Sequence, residues 1–424
     1  MAGTIVTGTD RTTAATCIVG PVPRIAYVAY PSSLTLRSAN AVQTYATVAA
    51  LRSCAPDCAA IIPRFAFRPS AFTALGATHL LRLPFNAGRH VIRSVFWSYL
   101  ERTWFAFRAL VHLVVTQRRP DVVYVRDVIC ALWLALILPR FLRIPVIFEM
   151  HDREATNPSA NSGPLTRWLA PRIDMLAARH ASSGGLVSLT HAFVPELAAI
   201  IGAARHPPIA VIPDAYDDQV YHPRDRALAR IALDLPPDAP IIAYTGLTFA
   251  YHGVDLLVDA FAIVKETVPH ALLVLVGGRG GERAAIATHA ARLGSATSVR
   301  IVPPRPVHEI PVYLAAADIL VIPDTVTKAS ASPLKLFEYA AMARPIIATD
   351  LPALREILPA DAAHYVVPGD PAATAAGIVW MATHAEEADA MAERARHAVE
   401  RYTYRHRAAA IVAFCQQVCE PADA

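Results

Sequence analysis

The stretch SASPLKLFEYAAMARPIIATD, Ser330 to Asp350, sets Lys335 and Glu338 three residues apart in a segment that reads as a helix opened by Ser332-Pro333. Ser332 suits the N-cap, and Pro333 suits the first helical position, where a missing N–H loses nothing. The free N–H groups of Leu334 and Lys335, the helix dipole and the Lys335 ammonium together suit a diphosphate. Glu338, one turn on and on the same face, is spaced to accept hydrogen bonds from vicinal hydroxyls such as those of a ribose. The chemistry that fits is recognition of a nucleoside diphosphate. The plain alternative is a helical Lys335–Glu338 ion pair worth roughly 0.3 kcal/mol.

These side chains need a strand end and a helix start to hold them. The apolar run ADILVIPD (Ala317–Asp324) supplies the strand, and Arg344-Pro345 turns the helix back into the strand PIIATD. From Arg24 onward the chain alternates short β-branched runs with helical segments, the pattern of a parallel sheet covered on both faces. RIAYVAY, DVVYVRD, IPVIFEMHD and GGLVSLT are strands of a first half; PIIAYTGL, ALLVLVGG, SVRIVPP and HYVVPG belong to a second. The expected fold class is α/β, two Rossmann-like doubly wound domains facing a cleft. The expected boundaries are a disordered leader at 1–23, a first domain at 24–208, a second at 209–402, and a closing helix at 403–424 packed across the domain boundary.

Composition narrows the partners. The 424 residues are 54% hydrophobic and 17% charged, enough for two domain cores and too ordered for a disordered chain. Residues 1–206 hold 21 basic and 10 acidic side chains, and the remainder 18 and 25. A basic, apolar first half points to an anionic surface. Without a basic groove interleaved with aromatics, a membrane surface is preferred to nucleic acid. The segment Arg89–Leu113 mixes arginine with aromatics and reads either as a helix lying on such a surface or as a core helix. Six scattered cysteines lack histidine partners at metal-site spacing, and the longest apolar run, Ala131–Pro139, is too short to span a bilayer. The expectation is a cytoplasmic protein able to associate with the inner face of the membrane. The first strand–helix turn, AYPSSLTLRSAN, has no G-x-G-x-x-G, and VGGRGGER (Val276–Arg283) has the wrong spacing, which argues against a nicotinamide enzyme. No P-loop is present either.

FEYAAMARPIIATDLPALREI resembles the second half of the donor-site signature of family 4 retaining glycosyltransferases of the GT-B fold, in its SPLK-F-E variant. YTGLTFAYHGVDLLVDAF, LLVLVGG, HEIPVYLAAADILVIPD, RSANAVQTYATVAAL, PDVVYVRD and IFEMHD are similar to further parts of that family. The resemblance implies transfer of a sugar from a UDP- or GDP-sugar to a glycan or lipid-linked acceptor, with retention and without a metal or other cofactor. It assigns catalysis to His151, Glu338 and Lys335. Donor binding falls to Gly246, His252, Ser330, Ala331, Ser332, Leu334, Lys335 and Glu338. Two departures stand out: Ser330 replaces the first acid of the family's E-x7-E, and Leu247 and His252 replace a basic pair in the loop after Gly246. Rival readings are a catalytically silent GT-B subunit that binds nucleotide or a partner, a nucleotide-sugar epimerase and, more distantly, an oxidoreductase.

Overall fold

The computed structural model describes residues 5–6, 20–31, 33–36, 38–64, 69–81, 95–116, 118–151, 153–156, 164–202, 207–325 and 333–420. They form two compact units. The first comprises the described residues before Ala215 with the C-terminal segment from Tyr404, and the second the described residues from Ala215 to Thr403.

The first unit is built on β1 (Ile5–Val6), β2 (Ile25–Val28), β3 (Ala59–Arg64), β4 (Thr78–Leu81), β5 (Val122–Val125), β6 (Val146–Met150), β7 (Gly185–Ser188) and β8 (Ile209–Val211). Every pairing is parallel, in the order β1-β8-β7-β6-β5-β2-β3-β4. β2, β5, β6 and β7 are buried along their whole length, as a sheet with helices on both faces requires. The order reverses between β2 and β5, and there Tyr27 and Tyr124 stack at 5.5 Å.

The second unit carries β9 (Ile241–Gly246), β10 (Leu272–Gly277), β11 (Val299–Val302), β12 (Ile319–Ile322), β13 (Ile346–Thr349) and β14 (His364–Val366). All pairings are again parallel, in the order β11-β10-β9-β12-β13-β14. Counted within the unit this is 3-2-1-4-5-6, the doubly wound arrangement whose ligands bind beyond the carboxyl ends of the strands where the order reverses. That point lies between β9 and β12.

Three details differ from the expected organisation. Within the stretch read as a leader, Ile5 and Val6 pair in parallel with Ile209 and Ala210, a β-branched pair adding to the open edge of β8. β8 itself, assigned by sequence to the second domain, pairs with β7 at Leu186↔Ile209, so the first unit runs to Asp214. The Tyr404–Cys419 helix belongs to the first unit, where Ala408, Ile411, Val412 and Phe414 share a core with Tyr27, Val48, Leu51 and Tyr124. Its buried stripe at positions 408, 411, 412 and 415 is one helical face, and that face decides where the helix docks.

Candidate functional site

β9 and β12 end side by side, and the groups at their carboxyl ends converge. β9 closes on Gly246, and Asp324 follows β12 two residues past its last. Pro333 acts as N-cap of the Leu334–Ala341 helix, where the sequence suggested Ser332. Pro333 is suited to this because its own carbonyl receives the Leu336 N–H at 2.9 Å while its ring leaves no N–H to satisfy. Leu334 and Lys335 thus occupy the first turn, where backbone N–H groups have no intrahelical acceptor. Ser330, Ala331 and Ser332 lie outside the described residues.

Lys335 is held from three sides. Its Nζ lies 3.0 Å from the Tyr244 hydroxyl, 3.3 Å from Asp324 Oδ1 and 3.4 Å from His252 Nδ1. The ammonium also sits 4.5 Å from the centre of the Tyr244 ring, within cation–π range. His252 Nδ1 in turn lies 2.8 Å from Asp324 Oδ1. Burial alone would raise the Asp324 carboxyl, but the Lys335 charge and the His252 hydrogen bond outweigh it and hold the group below the ordinary carboxylate range. The Tyr244 hydroxyl is driven well up by burial and by the Asp324 charge, so it stays protonated and donates to the Leu247 carbonyl.

The glycines beside this cluster have distinct reasons. Gly246 has φ +138°, a backbone that side chains rarely adopt, and a Cβ there would lie 3.5 Å from Lys335 Cδ. Gly277, its β10 neighbour, has no room at all: a Cβ would fall 2.0 Å from the Gly246 carbonyl. In the VGGRGGER turn close packing accounts for Gly277 and for Gly278, where a Cβ would fall 2.6 Å from the Thr248 hydroxyl, while Gly280 and Gly281 face open space. Glu282 of the same turn accepts from the Arg279 N–H at 2.9 Å and the Thr248 hydroxyl at 2.7 Å, which ties the loop after β9 to the loop after β10.

Glu338 lies one turn past Lys335, half-buried between buried neighbours. Burial pushes its carboxyl up to about 7, against a hydrogen bond from Tyr221 and the Lys335 charge. A carboxyl balanced near neutrality gains by accepting hydroxyl donors, which favour the ionised form. The structure thus brings Lys335, His252 and Gly246 together, with Leu334 and Glu338 on the same helix. The charge partner of Lys335 is Asp324, where the sequence suggested Glu338.

His151 lies in the first unit, just past β6. Its Nε2 is 2.8 Å from Arg126 Nε and also contacts the Glu149 carboxylate. Arg126 and Glu149 thus meet the same ring nitrogen, which accepts from Arg126 in one tautomer and donates to Glu149 in the other. Arg407 from the C-terminal helix reaches Glu149 at 2.6 Å, and Tyr124 donates to the same carboxylate. Burial would raise Glu149, yet Arg407, Arg126 and His151 hold it well below the ordinary range. Sequence reading missed Asp324 and Tyr244 around the lysine, Tyr221 on Glu338, and Arg126, Glu149 and Arg407 around the histidine. The signal for two of them was their position: Glu149 lies near the end of the apolar strand β6, two residues before His151, and Asp324 stands two residues past the apolar strand β12. Among the described residues no group of three or more His, Cys, Asp or Glu is placed to hold a metal ion.

Two family models match the chain. Residues 40–215 match the glycosyl transferase 4-like domain, and residues 239–384 match glycosyl transferases group 1. Each of these two segments belongs to a glycosyl transferase domain family. The group 1 match covers all of β9–β14 and with them the Lys335 cluster. Among curated relatives, the D-inositol 3-phosphate glycosyltransferase of Nocardia farcinica is 31% identical over 220 residues, which cover 49% of this chain and 47% of that one. The enzyme of that name from Catenulispora acidiphila is 28% identical over 249 residues, covering 56% and 58%. The chain thus spans about half the length of the curated relatives it matches. Two solved structures share the fold at low identity. Sucrose-phosphate synthase from Thermosynechococcus elongatus superposes with a TM-score of 0.75 at 16% identity, covering 93% of this chain and 98% of that one. HepE from Anabaena, solved in complex with UDP, superposes at 0.69 and 16% with the same coverage. The fold is GT-B: two Rossmann-like domains, each a parallel sheet wound with helices.

Proposed function

We propose that this protein transfers a hexosyl group from a nucleoside-diphosphate sugar, UDP- or GDP-linked, to a glycan or lipid-linked acceptor, with retention at the anomeric carbon and without a metal ion. The observation that carries the reading is the fixed Lys335 ammonium at the β9–β12 reversal, at the start of a helix whose Glu338 stands one turn on. The solved relative HepE holds UDP and, in further crystals, UDP-glucose, which supports a donor of this class.

In this account the diphosphate rests on the N–H groups of Leu334 and Lys335 and beside the lysine charge. The ribose hydroxyls donate to Glu338. Gly246 keeps the backbone after β9 free of a side chain, so the pyrophosphate can come close. As the anomeric C–O bond to the diphosphate breaks, negative charge grows on the leaving oxygen, where the helix end and Lys335 already lie. The acceptor hydroxyl bonds to the same face of the anomeric carbon and gives its proton to that leaving oxygen. His151 is assigned a catalytic role by the family resemblance, and His252 holds Asp324 and thereby Lys335. Ser330, Ala331 and Ser332 are assigned to donor binding by the family resemblance alone.

Turnover tests this directly. Purified protein is incubated with UDP-glucose or GDP-mannose and a crude glycolipid acceptor, and release of nucleoside diphosphate is followed with the Glu338→Ala and Lys335→Ala variants as controls. Release that needs both acceptor and intact side chains supports transfer. Nucleotide binding without release identifies a silent subunit, and conversion of donor without acceptor identifies an epimerase.

A further inference from the structure

The Val95–Val115 helix of the first unit is apolar on two faces. One face packs inward through Tyr99, Phe105, Ala106, Ala109 and Leu113, all buried. The other carries Leu100, Trp104, Phe107, Val111 and Val114, each between 40% and 53% exposed. Their spacing of four, three, four and three places them within an arc of about 80° on the helix surface. Trp104 and Phe107 touch at 5.9 Å. The apolar surface continues sideways. Exposed Trp133, on the Val128–Phe141 helix, donates to Thr103 at 3.2 Å, and Arg108 reaches the carbonyl of exposed Leu81 at 3.1 Å. An amphipathic helix hides its apolar stripe; a stripe this long left in the open marks an interaction surface.

The charges that this helix and its two neighbours expose all have one sign. The Val95–Val115, Val128–Phe141 and Pro164–Ala181 helices contain two acids, Glu101 and Asp174, and both are buried. Buried Asp127 and Glu154 both pair with Arg102, and Asp174 accepts the N–H groups of Glu154 and Ala155, so a buried network ties the three helices together. Facing solvent on or beside these helices are Arg118, Arg119, Arg140, Arg143, Arg167 and Arg172. Arg172 lies 3.8 Å over the exposed Trp168 ring, a basic and aromatic pair of the kind that sits at a bilayer interface.

We propose that this face docks the protein on an anionic lipid bilayer, with Trp104 and Phe107 in the headgroup–acyl boundary and the arginines on lipid phosphates. Charge decides against a second copy of the chain, because two such faces brought together would oppose arginine to arginine. The helix lies on the surface and does not cross it: no helix among the described residues is long and apolar enough to cross a membrane.

Vesicle flotation without any donor or acceptor tests the proposal independently of transfer. Wild type is expected to float with vesicles of phosphatidylcholine and phosphatidylglycerol and to float weakly with phosphatidylcholine alone. The double variant Trp104→Ser/Phe107→Ser should lose roughly tenfold or more in partition, with its unfolding midpoint unchanged. Arg140→Glu/Arg172→Glu, which leaves the apolar stripe intact, should lose roughly fivefold per arginine on the anionic vesicles at low salt. Wild type that stays in solution with anionic vesicles overturns the proposal. So does a Trp104→Ser/Phe107→Ser protein that floats like wild type. A wild-type dimer that the same double variant converts to monomer would assign the face to a second copy.

Discussion

Lys335 Nζ stands 3.3 Å from Asp324 Oδ1, and the two side chains meet across the carboxyl end of β12. Their side chains are only 17% and 11% exposed. The ammonium is thus positioned and neutralised before any ligand arrives, and a phosphate that joins it meets a cation already in place.

Removing the counter-ion should expose that arrangement. Asp324→Ala leaves Lys335 partly buried without its anion and should lower stability by about 2 kcal/mol. Because a diphosphate can supply the missing negative charge, a saturating nucleoside diphosphate should raise the melting temperature of Asp324→Ala more than that of wild type. Equal shifts in differential scanning fluorimetry would mean that the ligand does not reach Lys335.

Glu338 sets a pH dependence. Its carboxyl rises from an ordinary 4.5 to about 7 in the folded protein, so the folded state holds a proton that the unfolded state has released. The associated stability is fully present below 4.5 and is lost as pH rises through 7. Ribose hydroxyls need the ionised form, so nucleotide affinity should climb as pH rises through about 7 and then level off. In Glu338→Gln the climb should vanish and affinity at high pH should fall about ten- to a hundredfold, the range for hydrogen bonds to a charged group. Isothermal titration across pH 5.5 to 8.5 reads both effects.

In the first unit, Arg407 is the test of the C-terminal helix. It donates to Glu149 at 2.6 Å and to the Ile212 carbonyl at 2.7 Å. Arg407→Met should cost about 3 kcal/mol, since it removes one of the two arginines that neutralise a fully buried carboxylate. Glu149 is held below its ordinary range, so its contribution exists above the unfolded value and fades as pH falls through the folded one. The variant should therefore lose most stability near neutrality and differ less from wild type in acid. Urea unfolding at two pH values checks this.

The fold was legible because parallel strands buried on both faces read as unbroken apolar runs, and ILVI and IIAT at β12 and β13 are of that kind. The helix bearing Lys335 and Glu338 was legible for a related reason, since Pro333 marks its start. The partner of Lys335 was not. Helical spacing nominated Glu338, whereas the strand order set β12 beside β9, and that order brought Asp324, Tyr244 and His252 to the same ammonium. Arg407 was hidden more deeply, because no local pattern says that the last helix returns to the end of β6. The short edge strand at Ile5–Val6 was missed because two residues carry no periodicity.

One measurement bears most directly on the central claim: calorimetric titration of UDP and GDP into wild type and Glu338→Ala at pH 8, where Glu338 is ionised. The account predicts that one of the two nucleotides binds wild type, and that the variant loses at least tenfold in affinity while keeping its unfolding midpoint. No binding of either nucleotide to wild type, or equal binding to both proteins, would contradict it.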